Sequence, residues 1–402
     1  MITIKDIDEA AQRLQPVVHN IPLSSSTTFS GMTGAEVFLK CENQQKTGSF
    51  KVRGASFRIS QLSDEEKQRG VLACSAGNHA QGVALAARRY GLPALICMPA
   101  GAPISKVEAT RELGAEICLV PGVYDDAYAR ALQLNEEKGM TFIHPFDDEQ
   151  VIAGQGSIGM EILAENPDID VVFVPIGGGG LASGVAYAVK TLKPSVRVIG
   201  VQAEGAASML NSRDHNQIEA LASVLTIADG IAVKEPGVRT FELCQQYVDE
   251  VVSVSEDEIC AAILALIEHH KLIAEGAGAV SVAAAMFGKA DIAGKNVCCI
   301  VSGGNIDVTI LSRIINRGLM KGGRTIEMLI EMPDRPGSLL GLCNVICRYG
   351  ANIISIHHER NGESPDVNSC NLRIVLETRN ADHIRDIHVG IVAAGYAILS
   401  EK

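Results

Sequence analysis

Residues 47–55 read Thr47-Gly48-Ser49-Phe50-Lys51-Val52-Arg53-Gly54-Ala55. One lysine sits among small and apolar neighbours, close to an arginine. Taking an ammonium out of water disfavours its charged form, and a neighbouring positive charge acts in the same direction. The stretch therefore suits a lysine that gives up its proton readily, and a neutral amine is what Schiff-base chemistry needs. For a lone lysine the ordinary reading is a loop-to-helix turn. What lifts this one above that reading is the company it keeps further along the chain.

Working outward, the pattern from about residue 60 alternates short apolar runs with helices. Ser63-Asp64-Glu65-Glu66 and Ser255-Glu256-Asp257-Glu258 are capping boxes. Strands are expected at 71–75, 94–98, 116–120, 141–145, 171–176, 196–202 and 297–301. Helices are expected at 78–90, 105–113, 124–138, 150–165, 181–192 and from 255 to about 272. Such alternation argues α/β architecture with parallel sheets covered on both faces, and there is material for two sheets with a cleft between them. The basic, glycine-containing segment Arg317–Arg324 is the best linker, with residues 319–324 at its centre. Beyond it, 325–332, 337–349, 352–358, 371–378, 381–393 and 396–399 read as βαββαβ, the split-βαβ order.

Three loops follow strands of this pattern. Gly177-Gly178-Gly179-Gly180-Leu181 leads from a buried strand into a helix. Successive glycines let backbone N–H groups converge on an anion, and the helix N-terminus adds a favourable dipole, so a phosphate fits there. The same residues match Gly-x-Gly-x-x-Ala through Gly177, Gly179 and Ala182, with Glu204 past the next strand. A nicotinamide dinucleotide therefore stays open at this point. A P-loop is excluded, because no Lys-Ser/Thr follows the glycines. Ser75-Ala76-Gly77-Asn78-His79 offers N–H groups and an amide for a second anion such as a carboxylate. Ser302-Gly303-Gly304-Asn305 closes the strand at 297–301. Ligands in parallel sheets lie beyond the carboxyl ends of strands, so all three loops can face one cleft.

A Schiff-base lysine, a phosphate nest, a carboxylate loop and a hydroxyl for a ring nitrogen together describe a pyridoxal 5'-phosphate site. The sequence resembles the threonine dehydratase (threonine ammonia-lyase) family of fold-type II pyridoxal phosphate enzymes, which also holds serine dehydratases and serine racemases. The segments GSFKVRGA, SAGNHAQG, PIGGGGL and VSGGN carry the resemblance, in the family's order and spacing, over residues 1–320. Residues 325–402 resemble an ACT domain, with Met332–Leu339 fitting its first strand-to-helix turn. The resemblance implies a catalytic domain at 1–318, with a smaller subdomain at 50–148 inserted in a larger one, and a regulatory domain at 325–402.

By position it implies Lys51 as the Schiff-base lysine and Phe50 packed on the cofactor ring. It puts Asn78 on the ring hydroxyl, the N–H groups of Gly177, Gly178, Gly179, Gly180 and Leu181 on the phosphate, and Ser302 opposite the pyridine nitrogen. Ser75, Ala76, Gly77 and His79 line the substrate carboxylate loop. The implied reaction is β-elimination of L-threonine to 2-oxobutyrate and ammonia, with L-serine secondary. Serine dehydratase or serine racemase is the alternative. Racemases of the family carry Ser where Ala76 stands and acidic metal ligands about where Gln202 and Ser208 stand, which puts racemisation below dehydration. The ACT-like tail implies an amino-acid effector, isoleucine or valine, at Asp334, Gly337, Ser338, Leu339 and Asn352. That would suit a place in isoleucine biosynthesis, and a homodimer or homotetramer is implied as well. A non-catalytic amino-acid sensor is the reading of a different class, and an intact Lys51 argues against it.

Composition bounds these readings. The chain has 402 residues, 47% of them hydrophobic, and a net charge of −12, which suits a large core and two or three domains. No basic stripe appears, which argues against nucleic acid. The start, Met1-Ile2-Thr3-Ile4-Lys5-Asp6, lacks an apolar run of signal-peptide type, and the stretch Gly276–Phe287 is too short to span a bilayer. The eleven cysteines show neither CxxC nor paired zinc spacing; Cys298, Cys299, Cys343 and Cys347 read as reduced core thiols of a cytoplasmic protein. No metal site is expected.

Overall fold

The computed structural model describes residues 2–360 and 368–402; Met1, part of the N-terminal reading above, lies outside them. Two compact units emerge, Met1–Val308 and Thr309–Lys402. No helix among the described residues is long and apolar enough to cross a membrane.

The first unit holds two sheets. The larger has six strands in the order Ser24–Ser25, Glu36–Lys40, Asn296–Ile300, Val171–Pro175, Arg197–Ala203 and Glu250–Val254. All its pairings are parallel except that of the first two strands. The smaller has Glu116–Val120, Ala94–Pro99, Val71–Cys74 and Thr141–Phe142, all parallel. Its strands fall in sequence between the second and fourth strands of the larger sheet. Val71–Cys74 and Val171–Pro175 are buried along their whole length. That is why they read as continuous apolar runs: helices cover both faces.

Most expected elements recur with bounds shifted by a residue or two. Both capping boxes form, with Ser63 and Glu66 and with Ser255 and Glu258 exchanging hydrogen bonds. Two expectations need correction. The strand at 141–145 pairs only over Thr141–Phe142, and beyond it Pro145 and Phe146 serve the cleft instead. The helix from 255 does not run as one α-helix to 272. It passes at Ala265 into a wider turn, Leu266–His270, and ends on Lys271 at φ 58°.

The long helix Glu149–Glu165 is the mechanical centre of this unit. Gly54 and Gly154 let it approach helix Lys51–Ser60 so closely that a Cβ on Gly154 would lie 2.7 Å from the Gly54 Cα. Gly184 does the same for helix Gly180–Leu192, where a Cβ would meet the Gly156 N at 2.7 Å. Arg53, fully buried, bonds Glu42 through two nitrogens at 2.8 Å and also reaches Glu161 of the long helix.

The second unit begins with helix Val308–Lys321, so the segment expected as a linker is helical in its first half and turns at Gly322–Gly323. Its sheet runs Asn352–Glu359, Ser369–Glu377, Thr325–Pro333 and Ala397–Glu401, antiparallel throughout. Helices Ser338–Tyr349 and Ala381–Ala393 complete a βαββαβ unit. Strand Thr325–Pro333 alternates buried and half-buried residues, as a sheet with one face on a core must. Cys343 is half-buried and Cys347 exposed, not core thiols as expected. They flank the stripe of Leu342 and Ile346 that the helix buries.

Candidate active site

Strand ends bring the motifs together. Ser75 follows Val71–Cys74, Gly177 follows Val171–Pro175 and Ser302 follows Asn296–Ile300, each at a carboxyl end. Lys51 opens helix Lys51–Ser60. The loop before it is pinned to the Ser302 loop: Phe50 N donates to Ser302 O at 3.0 Å, and Gly304 N to Gly48 O at 2.9 Å.

The half-buried Lys51 amine donates to Pro145 O at 2.8 Å and lies 5.3 Å from the Phe50 ring centroid. Burial lowers its pKa to about 8, against the opposing pull of the Glu275 carboxylate. The neighbouring arginine does not contribute as the sequence suggested. Arg53 turns into the base of the helix, where Glu42 and Glu161 neutralise it. Desolvation alone therefore prepares the amine.

Phe146 links the lysine to the glycine turn. A Cβ on Gly178 would fall 2.4 Å from the Phe146 ring, and one on Gly180 2.9 Å from the Phe146 backbone. Gly179 adopts φ 100°, a conformation glycine takes at no steric cost. Thr240 Oγ1 holds the turn by donating to Gly178 O at 2.6 Å. The helix that starts at Gly180 has no side-chain cap, so its first N–H groups are left for an anion. Leu181 contributes only backbone here, because its side chain belongs to the core.

Asn78 is fixed from two sides. Its Nδ2 donates to Glu275 Oε1 at 2.6 Å, and its Oδ1 accepts from Asn305 Nδ2 at 2.8 Å. Asn305 also donates to Thr47 O at 2.7 Å. Glu275 is 3% exposed. Burial, then the Asp229 charge, raises its pKa to about 7, while the Asn78 amide pulls the other way. Ser302 Oγ, also buried, donates to Ala277 O at 3.2 Å.

The loop Ser75-Ala76-Gly77-Asn78 is half-buried, and Ser75 Oγ accepts from Gly77 N at 3.2 Å. His79 departs from its expected place. Its ring is buried, donates from Nε2 to Ile143 O at 2.8 Å, and is held neutral by burial, with a pKa near 3. It anchors the helix, leaving the loop's backbone for a carboxylate. The effector residues are not gathered either. Asn352 pairs with Glu377, which pairs with Thr325, so it lies at the sheet end opposite Asp334, roughly 30 Å along the strand.

Sequence reasoning missed Glu275, Pro145 and Phe146, and placed Asn305 in its loop without assigning it a role. The signal for Glu275 was weak but present: one carboxylate inside the small-residue run Ala274–Gly278. Phe146 carried no local signal, since its role depends on Gly178 and Gly180 meeting it.

The residues fit pyridoxal phosphate. The amine gives up its proton far more readily than a solvated lysine, the glycine cradle has no room for a Cβ, and a buried neutral hydroxyl stands where a ring nitrogen is expected. The comparisons agree. Residues 14–303 match the family model of pyridoxal-phosphate-dependent enzymes, and the chain belongs to that family. Within it, the chain is 50% identical over 398 residues to the L-threonine ammonia-lyase of Thermotoga maritima, covering 99% of both chains. Among solved structures it is similar to threonine deaminase isoform 2 of Solanum lycopersicum, with 41% identity and a TM-score of 0.75 over 78% of this chain and 86% of that one. Maize serine racemase is similar too, with 38% identity and a TM-score of 0.74 over 79% and 98%.

Proposed function

We propose that this chain is an L-threonine ammonia-lyase: water is eliminated from L-threonine, and hydrolysis of the released enamine takes that water back and gives 2-oxobutyrate and ammonia, with L-serine a secondary substrate. One observation carries the reading. Short contacts link the four motifs, Phe50 N to Ser302 O, Lys51 Nζ to Pro145 O beside the Phe146 that Gly178 and Gly180 abut, and Asn78 beside Gly303, in a chain 50% identical over 99% of its length to an L-threonine ammonia-lyase. Pyridoxal phosphate, when bound, supplies the electron sink that makes the α-proton of an amino acid removable. The chain's own residues do the rest. The Lys51 amine takes the α-proton as general base. N–H groups at 177–181 hold the phosphate, and the Ser75–Gly77 loop orients the substrate carboxylate. Ser302 would offer a bound ring nitrogen a neutral hydroxyl, which would disfavour a charged pyridinium and so favour elimination over transamination.

Racemisation is less well served. Where racemases of the family place a serine, Ala76 has no proton to give. Gln202 is fully used by neutral partners: Nε2 donates to Ile176 O at 3.3 Å and Ala206 O at 3.2 Å, and Oε1 accepts from Leu210 N at 2.9 Å. The buried Ser208 Oγ finds no hydrogen-bond partner among the described residues. A carboxylate pair for a divalent cation is missing from these two positions.

Regulation by isoleucine or valine at the turn of the ACT-like unit, through its Gly337–Leu339 segment, in a homodimer or homotetramer, completes the proposal. Purified protein with L-threonine should release 2-oxobutyrate and show a cofactor absorbance band that Lys51→Ala lacks. A band without 2-oxobutyrate, accompanied by D-serine from L-serine, would replace the lyase reading with the racemase. Isoleucine should change both activity and melting temperature; no change in either removes the effector claim.

A further inference from the structure

The second unit contains a group of residues that breaks its own pattern. Strand register puts Met332 opposite Cys370 and His358 opposite Leu372. Asp334, two residues past Met332, continues the pairing through its N–H to Asn368 O at 2.8 Å. Because side chains alternate faces, Met332, Asp334, Cys370, Leu372 and His358 all share the face that carries the core. Along that face the register is otherwise apolar: Met328, Ile330, Leu372, Ile374 and Leu376 are fully buried, with Ile356 packed against them. At the end of that face the apolar series gives way: His358 stands opposite Leu372, Cys370 opposite Met332, and Asp334 one residue past the strand, so an imidazole, a thiol and a carboxylate lie on a diagonal across three adjacent segments. Cys370 packs in the core, whereas Asp334 and His358 are exposed and add nothing to it, and such a break in binary pattern marks a functional position.

We propose that Asp334, His358 and Cys370 form a binding site for a divalent transition metal of zinc type. One donor atom from each residue lies within 4.8 Å of the others. His358 Nε2 is 2.9 Å from Cys370 Sγ. Zinc takes one sulfur, one nitrogen and one oxygen readily, and around it such atoms stand roughly 3.5 Å apart. The carboxylate therefore closes in by about 1 Å and the His–Cys pair opens slightly. Arg360 grips Asp334 through Nε at 3.0 Å and Nη2 at 3.2 Å. That fork uses one lone pair on each oxygen and leaves another free, so it orients the ligand as outer-shell partners do. The Cys370 thiol loses its proton to solvent as the metal binds. Three protein ligands leave a fourth position for water. The site is independent of the catalytic reading. It takes Asp334 and leaves Gly337–Leu339 of the same turn to an effector.

Chelator-treated full-length protein is titrated with Co2+, followed by its visible d–d bands and its thiolate-to-cobalt absorbance, and then challenged with Zn2+. We expect one Co2+ per chain, displaced by Zn2+, and a melting temperature raised by Zn2+. His358→Ala, at an exposed position, should weaken binding by more than the roughly 10–100-fold that outer-shell changes cost, with threonine turnover unchanged. Cys370→Ser should abolish the thiolate band. If the buried Cys370 variant fails to fold, Asp334→Asn replaces it, with the same expected loss of Co2+ affinity. Absence of the bands in wild-type protein, or bands that persist unchanged in His358→Ala and in the second variant, overturns the site. Persistence would put the metal on other cysteines.

Discussion

In the proposed reaction Lys51 is prepared by losing water, not by acquiring a neighbour. Lys51 is held near pKa 8 by burial, although the Glu275 carboxylate opposes that shift. An amine of pKa 8 gains about tenfold in its neutral form between pH 7 and pH 9, whereas one near 10.4 gains about a hundredfold. Cofactor-stripped protein should therefore capture pyridoxal phosphate about tenfold faster at pH 9 than at pH 7 and level off above, as followed by absorbance. Glu275 has the opposite sign. Its folded pKa, about 7, lies above the unfolded carboxylate value near 4.3. Its stabilising contribution is therefore complete below that unfolded value and is lost as pH rises through 7. The melting temperature of stripped wild-type protein should fall across this window relative to Glu275→Gln; parallel curves would refute the assignment. Ser302→Asp should divert part of the turnover to transamination, read as pyridoxamine phosphate. Unchanged partitioning would show that the hydroxyl does not set the reaction's direction.

Elements are placed by glycines and by one buried charge cluster. Helix Glu149–Glu165 approaches its neighbours at Gly54/Gly154 and Gly156/Gly184, where added methyl groups would meet backbone atoms at 2.3–3.0 Å. Backbone cannot retreat as a flexible side chain can, so Gly184→Ala should cost about 1–3 kcal/mol or more by overpacking, measured by urea denaturation. Gly178→Ala tests the cradle instead. Its methyl would strike the Phe146 ring, so cofactor affinity should drop with little change in stability. Arg53 ties the first turn of helix Lys51–Ser60 to Glu42 and Glu161. Removing it leaves Glu42 buried without its cation, a loss of about 3–5 kcal/mol. That cluster fixes the base from which Lys51 reaches the cleft.

At the scale of the molecule, the proposed chemistry and the proposed regulation fall in different units. All the proposed cofactor contacts come from residues before Val308, and every effector and metal candidate comes after it. Deleting residues 325–402 should leave the cofactor band and basal threonine turnover in place while abolishing any response to isoleucine. Loss of the band on truncation would mean that the catalytic unit does not stand alone.

Sequence alone determined the alternation of strands and helices, because periodicity and capping are local properties. It also determined the four motifs of the site, because a glycine turn or a desolvated lysine needs particular residues at fixed spacing. Tertiary structure alone decided what depends on distant parts of the chain meeting. It turned Arg53 away from Lys51, buried the His79 ring, set Glu275 against Asn78, and parted Asn352 from Asp334. It also brought together Asp334, His358 and Cys370, which come from successive rows and meet only through the register of three antiparallel strands. Burial and register are consequences of packing, and no window along the chain contains them.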